Sequence, residues 1–157
     1  EKYSVFDVMR LCGWPAEQVP QNVGGYKLDT ESGSLPIFIK YEASQYGDRF
    51  LNPGEIEWFS KNNRSLKSNE FRWLLDGTER TPEWQNRHFV PIFIRRKAEE
   101  QEKSYYFVGS AVALDDVRAS VNPGEDGSES KVVISTLKLI KPVDPELYRH
   151  LTGKSAL

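Results

Sequence analysis

HFVPIFIRRK (residues 88–97) and KSYYFVGSAVAL (residues 103–114) are separated only by AEEQE. Both runs are rich in β-branched and aromatic residues, which fit a pleated, half-buried surface. The connection is too short for a crossover between parallel strands, so the pair reads as a β-hairpin. Upstream, GYKLD (25–29) and SLPIFIKYE (34–42) flank the turn signal TESG and predict a second hairpin. In SLPIFIKYE, Leu35, Ile37 and Ile39 alternate with Pro36, Phe38 and Lys40. Bulk on both faces predicts a central strand, with Pro36 near its start.

Between the hairpins, SQYGDRFLNPGE (44–55) reads as loop and EIEWFS (55–60) as strand or loop. SLKSNEFRWLL (65–75) reads as a helix capped by Ser68 or Ser65, and DGTERTPEWQNR (76–87) as a polar loop. Further on, VRASVNPGEDGSES (117–130) reads as a mobile Gly/Ser/acid loop and SKVVISTLKLI (130–140) as the last strand. PVDPELYRHLT (142–152) is a closing helix, with Asp144 as its cap and Pro145 in its first turn.

At the N-terminus, SVFDVMRLCG (4–13) has Ser4 in the N-cap position and Asp7 three residues on, a capping-box spacing. Val5, Val8, Met9 and Cys12 follow helical spacing, and Gly13 can end the helix. Pro15 suits the first turn of a second short helix, which Pro20 limits. Two small helices around a glycine resemble half of a helix-turn-helix; the plainer reading, a helical lid packed on a sheet, is the one adopted.

There is no internal repeat and no second composition regime. The expectation is one α+β domain over residues 1–157: a helical lid (1–24), a β-rich core (25–143), and a closing helix with tail (144–157). The core is predicted to be a curved antiparallel sheet or small pseudo-barrel. A chain of 157 residues, 38% apolar and 28% charged, can bury its own core. No run approaches the ~20 apolar residues needed to span a bilayer, and no basic leader precedes an apolar segment. The first residue is Glu1, which implies excision or processing from a longer chain. The single cysteine, Cys12, excludes an intramolecular disulfide and a cysteine-rich zinc site, and a cytoplasmic location is expected.

Motifs for catalysis are sparse. His88 and His150 lack the spacing of a helical zinc site. There is no G-x-S-x-G and no phosphate-binding G-x-x-x-x-G-K-[ST]. Glu129-Ser-Lys131 could imitate one end of a metal-dependent nuclease site, but the tripeptide is common by chance and reads as a solvated strand start. No catalytic residue, metal or cofactor is expected.

Binding motifs are stronger. Residues 57–97 hold nine Lys/Arg against five Asp/Glu, whereas the rest of this net −2 chain holds twelve against eighteen. A positive patch on an acidic protein is therefore permitted. Within it, EWFSKNNRSLKS (57–68) combines two aromatics with Ser60, Lys61, Asn62, Asn63, Arg64 and Lys67. Such groups hold a phosphate backbone: Arg by a bidentate fork, Lys as a point charge, and Asn through turn geometry and amide contacts. Trp58 is the candidate for stacking on a base; its neighbour Phe59 points to the opposite face of any strand. Arg95 and Arg96, with Lys97, form a second basic point, and Tyr46 and Arg49 could line the same site from the loop upstream. The alternative for Arg49 is a turn locked by contact with Asp48.

Several segments together (NVGGYKLD at 22–29, LPIFIKY at 35–41, YGDRFLNP at 46–53, WFSKNNRSLKS at 58–68, VPIFIRRK at 90–97, YYFVGSAV at 105–112 and the run 130–152) resemble an uncharacterised domain family. The family lies at the C-terminus of bacterial superfamily-2 helicases that often carry a phospholipase-D-type nuclease. Its usual pattern has an acid where Gly47 stands. The resemblance implies a non-catalytic DNA-binding domain of a restriction or defence enzyme, sensing a modified base or a phosphorothioate linkage. By analogy it implies a small PUA-like or B3-like pseudo-barrel, with DNA and the parent chain's helicase and nuclease domains as partners. The alternatives are a docking module that regulates the helicase and, ranked below it, a metal-dependent nuclease.

Overall fold

The computed structural model describes residues 2–12, 25–42, 47–75, 82–99, 104–123 and 127–154. The elements are β1 (Lys2–Ser4), α1 (Val5–Leu11), β2 (Ile37–Tyr41), β3 (Arg49–Asn52), β4 (Glu55–Phe59), α2 (Asn69–Leu74), α3 (Pro82–Arg87), β5 (Pro91–Arg96), β6 (Ser104–Pro123), β7 (Glu129–Leu139) and α4 (Pro145–Thr152). All seven strands join one sheet, in the order β2-β5-β6-β7-β4-β3, with β1 also paired to β6. The expected hairpin forms: β5 and β6 run antiparallel, with Ile94 opposite Tyr106 and Pro91 opposite Ser110.

The sheet is mixed, which corrects the purely antiparallel expectation. β2 pairs β5 in parallel, Ile37 opposite Ile92 through Tyr41 opposite Arg96. The TESG turn does form, with Asp29 and Ser34 exchanging backbone hydrogen bonds of 2.9 and 3.1 Å. Its first arm, however, makes only the isolated bridges at Tyr26 and Asp29. β2 therefore ends the sheet rather than lying at its centre. It is still buried on both faces: Ile37 and Ile39 enter the main core, while Phe38 joins Val8, Phe93 and Tyr105 beneath α1.

Two stretches read as loop are strand. Arg49–Asn52 forms β3, and the bend to β4 is tied by Asn52 accepting the Gly54 amide at 2.9 Å. β6 continues through VRASVNP to Pro123, pairing Arg118 with Ile134 and Val121 with Lys131. Its length depends on register shifts near Ala111/Ala113 and Asp115/Arg118, with Asp116 at φ 50°. Bulges of this kind bend a strand and increase its twist, so one strand turns the corner of a curling sheet. The two ends of the curl meet where Tyr41 and Phe50 place their rings 5.7 Å apart. The Phe50 amide also donates to the Tyr41 hydroxyl at 3.4 Å. The helix α4, capped by Asp144 accepting the Leu147 amide, sets Tyr148 edge-on against Phe50 at 5.1 Å.

At the N-terminus the Ser4–Asp7 capping box is complete, both bonds measuring 3.1 Å. α1 lays Val8 on the sheet against Phe38, Phe93 and Tyr105. Cys12 packs at the edge of this cluster, and burial raises its thiol pKa, as befits a packing residue rather than a nucleophile. The predicted second helix near Pro15, Trp14 and Tyr46 lie outside the described residues. Among the described residues no helix is long and apolar enough to cross a membrane.

Candidate nucleic-acid interface

The basic loop is built on the start of β7. The Ser60 amide donates to Val133 and the Val133 amide to the Ser60 hydroxyl, at 2.9 and 2.8 Å. Asn63 turns the chain at φ 62°, a left-handed conformation that asparagine tolerates. Its amide and that of Arg64 both reach the Lys131 carbonyl, at 2.8 and 3.3 Å. The Asn122 side chain donates to Asn62 at 3.3 Å, joining the loop to the β6–β7 hairpin. Backbone hydrogen bonds thus fix the course of the loop.

A buried network aims the cations. The Tyr26 hydroxyl accepts from the Lys61 amide at 3.0 Å and donates to Glu70 at 2.7 Å. The same Glu70 oxygen accepts from Nε of Arg64 at 3.0 Å. Burial, reinforced by Glu70, pushes the Tyr26 phenol far above the ordinary tyrosine range, so it stays a donor. The Lys61 ammonium sits 4.7 Å from the Tyr26 ring centre. Its pKa is lowered, first by burial and then by the Arg64 charge. A phosphate would offset both penalties, since an anion stabilises the charged forms.

Lys61 and Arg64 share an open cleft of about 1130 Å³ with Lys27, Arg72, Asn69 and Trp73. The Arg64 side chain is 38% exposed there, so its ion pair orients the guanidinium without burying it. Trp73 is held by His88, whose ring centre lies 4.6 Å from it and whose Nε2 lies 2.7 Å from the Trp73 carbonyl oxygen. Sequence reasoning missed Lys27 and Arg72 as partners of the loop, because Tyr26–Lys27 and α2 meet it only through the fold.

Several predicted site residues are placed elsewhere. Trp58 is 1% exposed and packs between Tyr26 and Phe71 at 5.1 and 5.7 Å, so it is core and cannot stack on a base. Ser60 is 7% exposed, with its hydroxyl bound to backbone. Arg95 is 7% exposed under the sheet, its guanidinium 4.8 Å from the Tyr105 ring centre. Arg49 is on β3, not a loop, and pairs with Glu57 at 3.3 Å; Asp48 is not its partner. Lys67 is exposed on the loop but outside the cleft lining, and Arg96 lies at the far end of β5. Lys131 gives its carbonyl to the loop, and among the described residues no group of three His, Cys, Asp or Glu converges on a metal position.

A smaller pocket of about 250 Å³ opens at the seam of the curled sheet. Lys40, Glu42, Gly47, Asp48, Phe59 and Asn122 line it, with the neighbouring Ser60. Phe59, not Trp58, is thus the aromatic of this pair that reaches a pocket. Asp48 accepts the Phe59 amide at 2.7 Å, and burial pushes its carboxyl up to about 6. The folded-state value lies above the ordinary 3.8, so the folded protein penalises the charged form. The penalty is complete above the folded value and is relieved as pH falls through it. Asp48→Asn, which keeps an acceptor for Phe59, is expected to stabilise the domain by roughly 1–3 kcal/mol at pH 7.5. The gain should shrink as pH falls from about 7 to about 4. Thermal denaturation across that range checks it, and a gain independent of pH would show that the carboxylate titrates normally.

A mixed sheet curled into a half-barrel, with the short helix α1 on one face and a basic cleft lined in part by the loop after β4, defines a small α+β domain. The chain belongs to the DUF3427 family, a domain of unknown function, whose model matches residues 1–151. No curated protein matches it. Among solved structures, the sulfur-binding and SRA domains of ScoMcrA, in complex with phosphorothioated DNA, align with 100% of this chain and 45% of that chain. The TM-score is 0.50 at 14% identity, a likeness of fold that agrees with the curved sheet or small pseudo-barrel expected. The DNA modification-dependent restriction endonuclease AspBHI aligns over 83% of this chain and 37% of that one, with a TM-score of 0.43 at 18% identity. The chain spans less than half the length of either structure.

Proposed function

We propose that this domain is a non-catalytic DNA-binding module that senses modified DNA for a restriction or defence enzyme, with helicase and nuclease domains elsewhere in the parent chain. The observation that carries the reading is the cleft in which Lys61 and Arg64, oriented through Tyr26 and Glu70, face Lys27, Arg72 and Trp73. Converging cations, of which Lys61 and Arg64 are oriented by their contacts, suit a phosphate backbone, and the half-buried indole offers a surface for a sugar or base. The seam pocket supplies what phosphate contacts lack: discrimination. It combines an aromatic wall, a half-buried carboxylate and an amide side chain, and its volume suits a single base drawn out of the stack. The fold likeness to domains solved on phosphorothioated DNA supports the same class of ligand.

The test is a panel of labelled duplexes: unmodified, 5-methylcytosine, 5-hydroxymethylcytosine, N6-methyladenine and phosphorothioate, each titrated at two salt concentrations. Binding is expected to weaken steeply with salt for all of them and to favour one modification by at least tenfold. Asp48→Ala should erase that preference if a base is read, and should spare it if the linkage is read. Equal affinity for every duplex would leave a DNA-binding domain without a sensor, and no binding at low salt would sink the reading altogether.

A further inference from the structure

Trp84 and His88 are four residues apart, and both reach the end of α2. The last carbonyls of a helix have no partner within it and need donors from elsewhere. Trp84 supplies one: its Nε1 donates to the Leu74 carbonyl at 2.9 Å. His88, 3% exposed, sets Nε2 at 2.7 Å from the Trp73 carbonyl oxygen and Nδ1 at 2.8 Å from the Trp84 carbonyl oxygen. Its ring stacks on Trp84, with centres 4.6 Å apart and planes 14° apart, and Trp73 lies tilted against it at the same distance.

Both ring nitrogens therefore face carbonyl oxygens. A carbonyl only accepts, and a neutral imidazole carries one N–H. Whichever nitrogen held that proton, the other would aim its lone pair at an oxygen at hydrogen-bond distance. Turning the ring over does not help, since C–H groups would then lie far inside the roughly 3.3–3.6 Å of a C–H···O contact. Only the doubly protonated ring satisfies both oxygens. Two charge-assisted hydrogen bonds and the electron-rich indoles take the place of water around such a cation. Of the charged side chains described on the two helices, Glu70 is engaged by Tyr26 and Arg64, Arg72 lines the basic cleft and Arg87 is exposed.

We propose that His88 is held as an imidazolium, and that this buried cation is the clamp that sets Trp73 in the wall of the basic cleft. It grips Trp73 through both carbonyl and ring, and the indole lines the cleft with Lys61 and Arg64. The consequence for DNA rests on the DNA-binding reading; the charge of the ring does not. His88 is thus a positioning residue, acting on the ligand through Trp73. No side-chain motif could signal it in the sequence, because both of its acceptors are backbone oxygens.

NMR of the wild-type protein labelled at its histidine ring nitrogens tests the charge, with His88→Gln assigning the signals against exposed His150. Near neutral pH, His88 should show two N–H protons and no resonance of a bare ring nitrogen; one bare nitrogen overturns the proposal. Adding duplex to the same sample should shift the Trp73 indole N–H and both His88 signals together. A Trp73 shift with His88 unmoved would break the link without any variant being needed. In binding titrations His88→Gln, whose amide can serve only one of the two carbonyls, should weaken affinity roughly tenfold, the scale of one stacking surface. Trp73→Ala should lose as much, and the double variant no more than either. Losses that multiply would show that His88 acts elsewhere than through Trp73. A wild type that binds no duplex removes the DNA-binding reading, while the ring-nitrogen signals still decide the charge.

Discussion

Trp58→Ala is expected to destabilise the domain by about 3–5 kcal/mol, the usual cost of truncating a large core aromatic. The indole fills the centre of the main core, where Tyr26, Phe71, Ile56 and Leu137 are also buried, and no neighbour can close the gap without moving the sheet. Tyr26 would lose an aromatic partner, and with it the support that fixes its hydroxyl between Lys61 and Glu70. Chemical denaturation measures the stability change. Trp58→Phe separates packing from function: a smaller ring should cost about 1–2 kcal/mol and leave DNA affinity at the wild-type level. A large fall in affinity for a folded Trp58→Phe variant would return the indole to the interface and contradict its burial.

How much of this was legible in the chain depends on how local each signal is. The β5–β6 hairpin, the Ser4–Asp7 box and the Asp144 cap rest on residues within a few positions of one another, and all three form as expected. The left-handed turn at Asn63 is of the same kind. The parallel pairing of β2 with β5 is not local; residues 42–90 intervene, and no pattern in either strand names its partner. VRASVNP hides a strand behind small and charged residues, because its outward face is solvated and its pairing partner supplies the apolar bulk. The adjacency of Trp58 and Phe59 revealed that one ring faces the core and the other does not, but not which, since that depends on the face against which α2 and Tyr26 pack. The candidate site divides the same way. Its loop was visible as composition, whereas Lys27, Arg72, Trp73 and Asp48 join it through tertiary contacts alone.

The sharpest test of the interface uses opposite signs. Lys61→Ala/Arg64→Ala should weaken binding by roughly a hundredfold at low salt and reduce the salt slope by about two, uniformly across the modified and unmodified duplexes. Arg64 complicates a simple deletion, because it is also the ion-pair partner of a buried carboxylate. Removing it leaves Glu70 held by the Tyr26 hydroxyl alone, at a stability cost of about 1–3 kcal/mol. A loss of binding could then be blamed on a loosened loop. Glu70→Gln resolves the ambiguity. It breaks the same ion pair and so weakens folding by a similar amount, yet it removes an acid from the cleft and leaves Arg64 charged and accessible. If the guanidinium serves DNA, affinity should hold or rise while the melting temperature falls. If the pair serves only the fold, both variants should lose stability together and lose binding together, and the cleft would have no claim on a phosphate.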